Sequence, residues 1–188
     1  MTTPQIILWA CVYLVELVAV VYLTRPVARR LVGALIGGAA AGLLALISIT
    51  LCNAVGWWRI PIAVTPHFLL LFYFALAIWP APIYLVTWRV ARRFGLCGLA
   101  VFVGVVALIG APRDYLIAAK FPQWMVFAPG VAPLLADAGT YVGIIIVGHV
   151  VMSLIAGPAR DDRLARASRT AAQPIVKQQR RNRESRLD

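Results

Sequence analysis

Long apolar runs separated by short polar joints set the pattern of this chain. Five runs, roughly 5–24, 31–52, 66–88, 95–111 and 134–157, are continuous and greasy. Crossing a hydrocarbon core of ~30 Å takes about 20 helical residues. In lipid every backbone polar group must be satisfied within the protein, and a run of this length does so as a helix. The expected fold is therefore all-α: a polytopic transmembrane bundle of five spans over 1–158, then a polar tail over 159–188. Between the fourth and fifth runs lies PRDYLIAAKFPQWMVFAPGVAP, residues 112–133, which carries Arg113, Asp114 and Lys120 and is broken by Pro122. Its mixed charge and short halves predict an interfacial or re-entrant segment and argue against a sixth span.

The polar joints also predict an orientation. The first joint holds Arg25, Arg29 and Arg30, the third holds Arg89, Arg92 and Arg93, and the tail holds nine Lys or Arg from Arg160 to Arg186. The opposite side receives only Arg59, Arg113 and Lys120. Cytoplasmic loops carry the excess of basic residues, so the N-terminus is expected outside and the C-terminus in the cytoplasm. A sixth span would export the basic tail.

Composition agrees. Of 188 residues, 62% are hydrophobic and 13% charged, with a mean hydropathy of +0.84, whereas a soluble domain runs near half apolar and a quarter charged. The net charge of +11 invites a nucleic-acid partner. Its placement argues otherwise, because RPVARR and RVARR are orientation anchors at helix ends. The tail is polar and poor in aromatics, hence expected to be mostly disordered and drawn to anionic lipid headgroups. Cys11, Cys52 and Cys97 have no CxxC or Cys/His spacing and read as small apolar packing residues. No Lys or Arg precedes the first run, which removes the n-region of a signal peptide and leaves an uncleaved span as the expectation. A content rich in Ala, Val, Leu and Arg suits a high-GC bacterium and its inner membrane.

Small residues point to helix packing. In the second run Gly33, Gly37, Ala41 and Ala45 recur every fourth position, with Gly38 and Gly42 beside them, and the fifth run carries Gly139 and Gly143. Such faces let membrane helices approach closely, making the second helix either the hub of the bundle or an oligomer interface. Pro80 and Pro82 in WPAP should kink the third span, since proline removes an amide donor and clashes with the preceding turn. Trp57, Trp58, Tyr115, Phe121, Trp124 and Phe127 gather on the external side as an aromatic belt or a lid.

Ionisable residues inside spans are few and are functional candidates by default. Glu16 interrupts YLVELVAVVYL, about 16 Å from the external end of its span at the helical rise per residue. A carboxylate there must face protein or water, or hold a proton. His149, about 22 Å from the external end of the fifth span, lies at a depth where the two could pair. His67, Asp137 and Asn53 lie near the external surface, as do Arg59, Arg113, Asp114 and Lys120. His67 and His149 stand at opposite levels, which excludes them as the axial pair of one haem. With no HExxH, CxxC, GxSxG or P-loop pattern, no metal or cofactor is expected.

Three function classes follow. The first is a non-catalytic subunit or scaffold, bound to a protein partner or to copies of itself. The second is a small transporter or substrate-binding module with Glu16, His149, Pro80 and Pro82 along its path. The third is an enzyme acting on a lipid-type substrate at the external interface through Asp114, Asp137 and His67.

Overall fold

The computed structural model describes residues 3–59, 78–123 and 125–157. The chain divides into two units, Met1–Ala156 and Gly157–Asp188. The expected basic tail, His67, Trp124 and the outer half of the third run lie outside the described residues.

Among the described residues the first unit is all-α apart from one pair of two-residue strands. Four helices are described: α1 (Thr3–Thr24), α2 (Ala28–Val55), α3 (Ala81–Lys120) and α4 (Val131–Ala156). Strand β1 (Trp58–Arg59) pairs antiparallel with β2 (Val126–Phe127). Three of the helices, α2, α3 and α4, are long and apolar enough to cross a membrane, and α1 contributes a shorter apolar stretch, Cys11–Thr24. Large apolar side chains cover the outside of all four, among them Leu96, Leu108 and Leu154, as expected when the surrounding solvent is lipid.

The core is built where α4 lies against both α2 and α3. A Cβ placed on Gly33 would come within 3.0 Å of the Met152 carbonyl oxygen and 3.3 Å of the Ala156 Cβ. One placed on Gly37 would collide with the Gly148 backbone, and one on Gly148 with the Tyr84 ring. Three helices thus meet at a point where two of them present no side chain. Gly38 and Gly42 are buried nearby. Gly143 touches only Leu44, and Gly139 faces open space. Of the GxxxG pair read from the sequence, Gly139 is therefore off the packing face and Gly143 meets α2 only in ordinary van der Waals contact; at 100° per residue Gly143 and Gly148 lie about 140° apart around the axis.

Helix α3 folds back on itself. Tyr84 Oη donates to the Ile144 carbonyl (2.9 Å), and Arg113 Nη2 donates to Tyr141 Oη (2.7 Å). A straight helix would hold Tyr84 and Arg113 about 43 Å apart, yet both reach α4 within one turn. The reversal falls at Gly95 (φ 70°, ψ −158°), a conformation open to glycine alone. The returning arm then runs unbroken to Lys120 across Pro112, and Pro122 follows the helix end. This corrects the expected segment 112–133 in two respects. Its first nine residues continue α3 instead of lying apart as an interfacial or re-entrant unit, and its last three begin α4. What remains is a loop tied down by the β1–β2 pair and by Ala128 N donating to Trp57 O (2.8 Å). Pro80 and Pro82 mark the N-terminal boundary of α3, where a missing amide is tolerated.

Two ends of the unit are distinguished by chemistry. At one, Arg89 donates to the Thr24 carbonyl, Arg29 Nε donates to Ile155 O (2.8 Å), and Arg30, Arg89 and Arg92 stand over the buried Trp88 ring at 5.4, 5.0 and 5.9 Å. At the other, Trp58 and Tyr115 pack on Phe127 with centroids 5.5 and 5.6 Å away. Cation–π contact keeps the half-buried Arg89 and Arg92 close to the bundle while their heads can reach water or headgroups, and Arg30 is fully buried.

Forcing a side chain into the glycine junction should be costly. Gly37→Leu and Gly148→Leu are each expected to destabilise the bundle by about 1–3 kcal/mol or more, whereas Gly139→Leu stays within about 0.5 kcal/mol of the parent. Thermal unfolding of the detergent-solubilised protein measures this. Equal midpoints for all three variants would contradict the packing.

Candidate functional site

Both carboxylate oxygens of Asp114 are hydrogen-bonded. This residue follows Arg113 on the returning arm of α3, directly after Pro112, and both meet Tyr141 of α4. Arg113 Nε and Nη2 donate to Asp114 Oδ1 at 2.9 and 2.8 Å. Tyr141 Oη accepts from Arg113 and donates to Asp114 Oδ2 at 2.6 Å. The three side chains close a ring in which both carboxylate oxygens are occupied. Gly110, one turn earlier, makes room for the ring of Tyr141, whose nearest atoms would lie 2.8 Å from any added Cβ. The Arg113 side chain is 56% exposed, so an ion pair alone would contribute little in water. The geometry matters because it fastens α3 to α4.

One turn along α4 from Tyr141 sits Asp137, only 6% exposed. Its Oδ2 has no hydrogen-bond partner among the described residues. The structure therefore brings Asp114 and Asp137 to neighbouring turns of one polar cluster, with different environments: Asp114 is saturated and Asp137 is not. Beside them Ser48 Oγ and Thr140 Oγ1 share a hydrogen bond of 2.5 Å between α2 and α4. Cys52 is buried on the same side of α2.

His149 lies deeper and is half-buried. Its Nδ1 is 2.8 Å from Thr87 Oγ1, and that hydroxyl also bonds the Tyr84 carbonyl at 3.0 Å. Glu16 is exposed on α1. Glu16 and His149 form no hydrogen bond or ion pair with each other, because His149 faces α3 from α4 while Glu16 points outward from α1. Asn53 is exposed, and its carbonyl accepts from Gly56 N (3.1 Å) in the turn that ends α2. The described residues contain no group of three or more His, Cys, Asp or Glu arranged to hold a metal ion.

Several residues that organise the site were not singled out from sequence: Tyr84, Trp88, Tyr141 and Gly148; Arg30, expected only as an orientation anchor, is fully buried. Tyr141 carried a usable signal, being four residues after Asp137 and so on the same helical face. Gly148 carried one too, as the start of the small-to-medium series Gly148, Met152, Ala156. Comparison with known proteins gives no match: no family model, no curated protein and no solved structure is significantly similar to this chain.

If the ring is a fastener, its members act together. Asp114→Ala and Tyr141→Phe are each expected to lower stability by about 1–2 kcal/mol. Their double variant should fall short of the sum by at least ~0.5 kcal/mol, because both remove the same bond. Equilibrium unfolding in mixed micelles gives the cycle, and strict additivity would show that the contact does not join the helices.

Proposed function

We propose that this chain is a five-span integral membrane protein of a bacterial inner membrane, N-terminus outside and C-terminus in the cytoplasm, serving as a non-catalytic subunit or scaffold. One observation carries the reading: polar side chains at the helix contacts bind one helix to another. Arg113–Asp114–Tyr141 and Thr87–His149 join α3 to α4, and Ser48–Thr140 joins α2 to α4. Asp114 and His149 are thus engaged in holding the bundle, Asp137 Oδ2 is not, and Glu16 is left facing outward.

Orientation draws support from the arginine end. Arg25, Arg29 and Arg30 follow α1 and Arg89, Arg92 and Arg93 precede Gly95, and contacts to Thr24, Ile155 and Trp88 gather these segments at one end. An excess of basic residues marks a cytoplasmic face. Anionic headgroups are its natural lipid partners. The transporter reading draws no support from a Glu16–His149 pair. A membrane enzyme at the external interface keeps one supporting observation, the buried Asp137 Oδ2 beside Asp114.

Native mass spectrometry of the untagged protein, extracted gently from its own membrane, tests the function. A defined protein assembly is expected, and a single chain carrying one tightly bound small molecule would contradict it. Cys97, exposed next to the reversal at Gly95, tests the orientation in a Cys11→Ser, Cys52→Ser background. A membrane-impermeant maleimide should label it in inverted vesicles and leave it unlabelled in intact cells; the opposite result would reverse the topology.

A further inference from the structure

Over Cys11–Thr24, helix α1 buries one side of itself. Leu17 and Thr24 are buried and Tyr13, Val20 and Val21 half-buried, with Tyr13 against Trp79 (centroids 6.0 Å) and the Thr24 carbonyl held by Arg89. That side faces α3. Next to it, Val12, Glu16, Ala19 and Leu23 are all exposed. Their spacing of four, three and four residues places them within about 60° of one another around the axis. This is the 4–3–4 spacing of a helix–helix seam. In its middle sit a carboxyl group and, one turn below, the small residue Ala19.

A mid-span carboxyl on such a surface is costly against lipid, so the seam is a surface to be covered. Its chemistry says by what. A protonated carboxyl donates one hydrogen bond and accepts another, so two copies of Glu16 facing each other across a two-fold axis satisfy both. An isologous contact pairs a patch with itself, and Ala19 lets the two backbones approach beside the polar pair. Of the other described ionisable groups, Asp137 is buried in the bundle, His149 bonds Thr87, and Tyr13, electrostatically coupled to Glu16, packs against Trp79 on the side that faces α3.

We propose that the chain forms a parallel homodimer through α1, along the seam Val12–Glu16–Ala19–Leu23, with the two Glu16 carboxyls hydrogen-bonded to each other. This deepens the subunit reading and rests on it for the placement of α1 in the membrane.

The test combines cross-linking and oligomeric state, using the full chain. In native membranes and a background with Cys11, Cys52 and Cys97 changed to Ser, Val12→Cys, Ala19→Cys and Leu23→Cys should give disulfide-linked dimers. Leu14→Cys and Val18→Cys, exposed on other sides of α1, should do so at least about tenfold more slowly, because a disulfide needs Cβ atoms within ~4.5 Å. Native mass spectrometry should find a dimer for the parent and for Glu16→Gln, and a folded monomer for Glu16→Leu. A monomeric parent, equal cross-linking around α1, or a dimer unchanged by Glu16→Leu would overturn the proposal. A foreign chain cross-linked at the seam would overturn the homodimer and leave the subunit reading standing. A monomer holding a small molecule would end both.

Discussion

At Gly148 the backbone of α4 touches the backbone of α2 at Gly37 on one side and receives the ring of Tyr84 from α3 on the other. The rest of the unit depends on this three-way contact. In a membrane there is no hydrophobic drive between helices, since lipid tails are as apolar as leucine. Dispersion at short range must do the work, and it falls off steeply with a gap of even half an ångström. Two glycines remove the side chains that would create that gap. Tyr84 then fills the remaining space and carries its hydroxyl to the Ile144 carbonyl, so the hole left by glycine becomes a socket.

Once that contact is made, the polar fasteners fall into place above and below it. Toward the arginine end, Thr87 reaches His149 and the buried Trp88 takes three guanidinium groups around its ring. Toward the aromatic end, the chain has turned at Gly95 and come back, so Arg113 and Asp114 meet Tyr141. Each interhelical hydrogen bond in lipid is worth on the order of 0.6–2 kcal/mol. None alone holds the bundle, but each fixes the rotation of one helix against another. That division of labour, close packing for affinity and polar contacts for register, leaves α1 as the outlier. It leans on α3 and presents most of its surface, Glu16 included, to whatever surrounds the bundle.

The apolar runs were legible because burial in lipid demands length and composition, which a sequence displays directly. The gathering of basic residues was legible for a similar reason, since charge cannot be hidden in hydrocarbon. Rotation about a helix axis was not. Gly139 and Gly143 satisfy the small-residue pattern as well as Gly148 does, and only the partner surface, with Met152 and Ala156 continuing it, selects the face that packs. The helix end was misjudged where charge seemed decisive: Arg113, Asp114 and Lys120 all lie on α3, and Pro112 lies inside it, as membrane helices allow when neighbours satisfy the freed carbonyl. Glu16 was conspicuous from the start. Its pairing with His149 was drawn from depth alone, and depth says nothing about which way a side chain points.

The close approach of α2 and α4 is the claim on which this account stands, and a disulfide reports it directly. A Cβ on Gly33 falls 3.3 Å from the Ala156 Cβ, near the ~3.5–4.5 Å separation that a disulfide spans. With the three native cysteines changed to Ser, Gly33→Cys combined with Ala156→Cys should oxidise within single chains of the membrane-embedded protein. Neither single variant should give that intramolecular product. A folded double variant that stays reduced under oxidant would place the two helices apart and contradict the glycine junction.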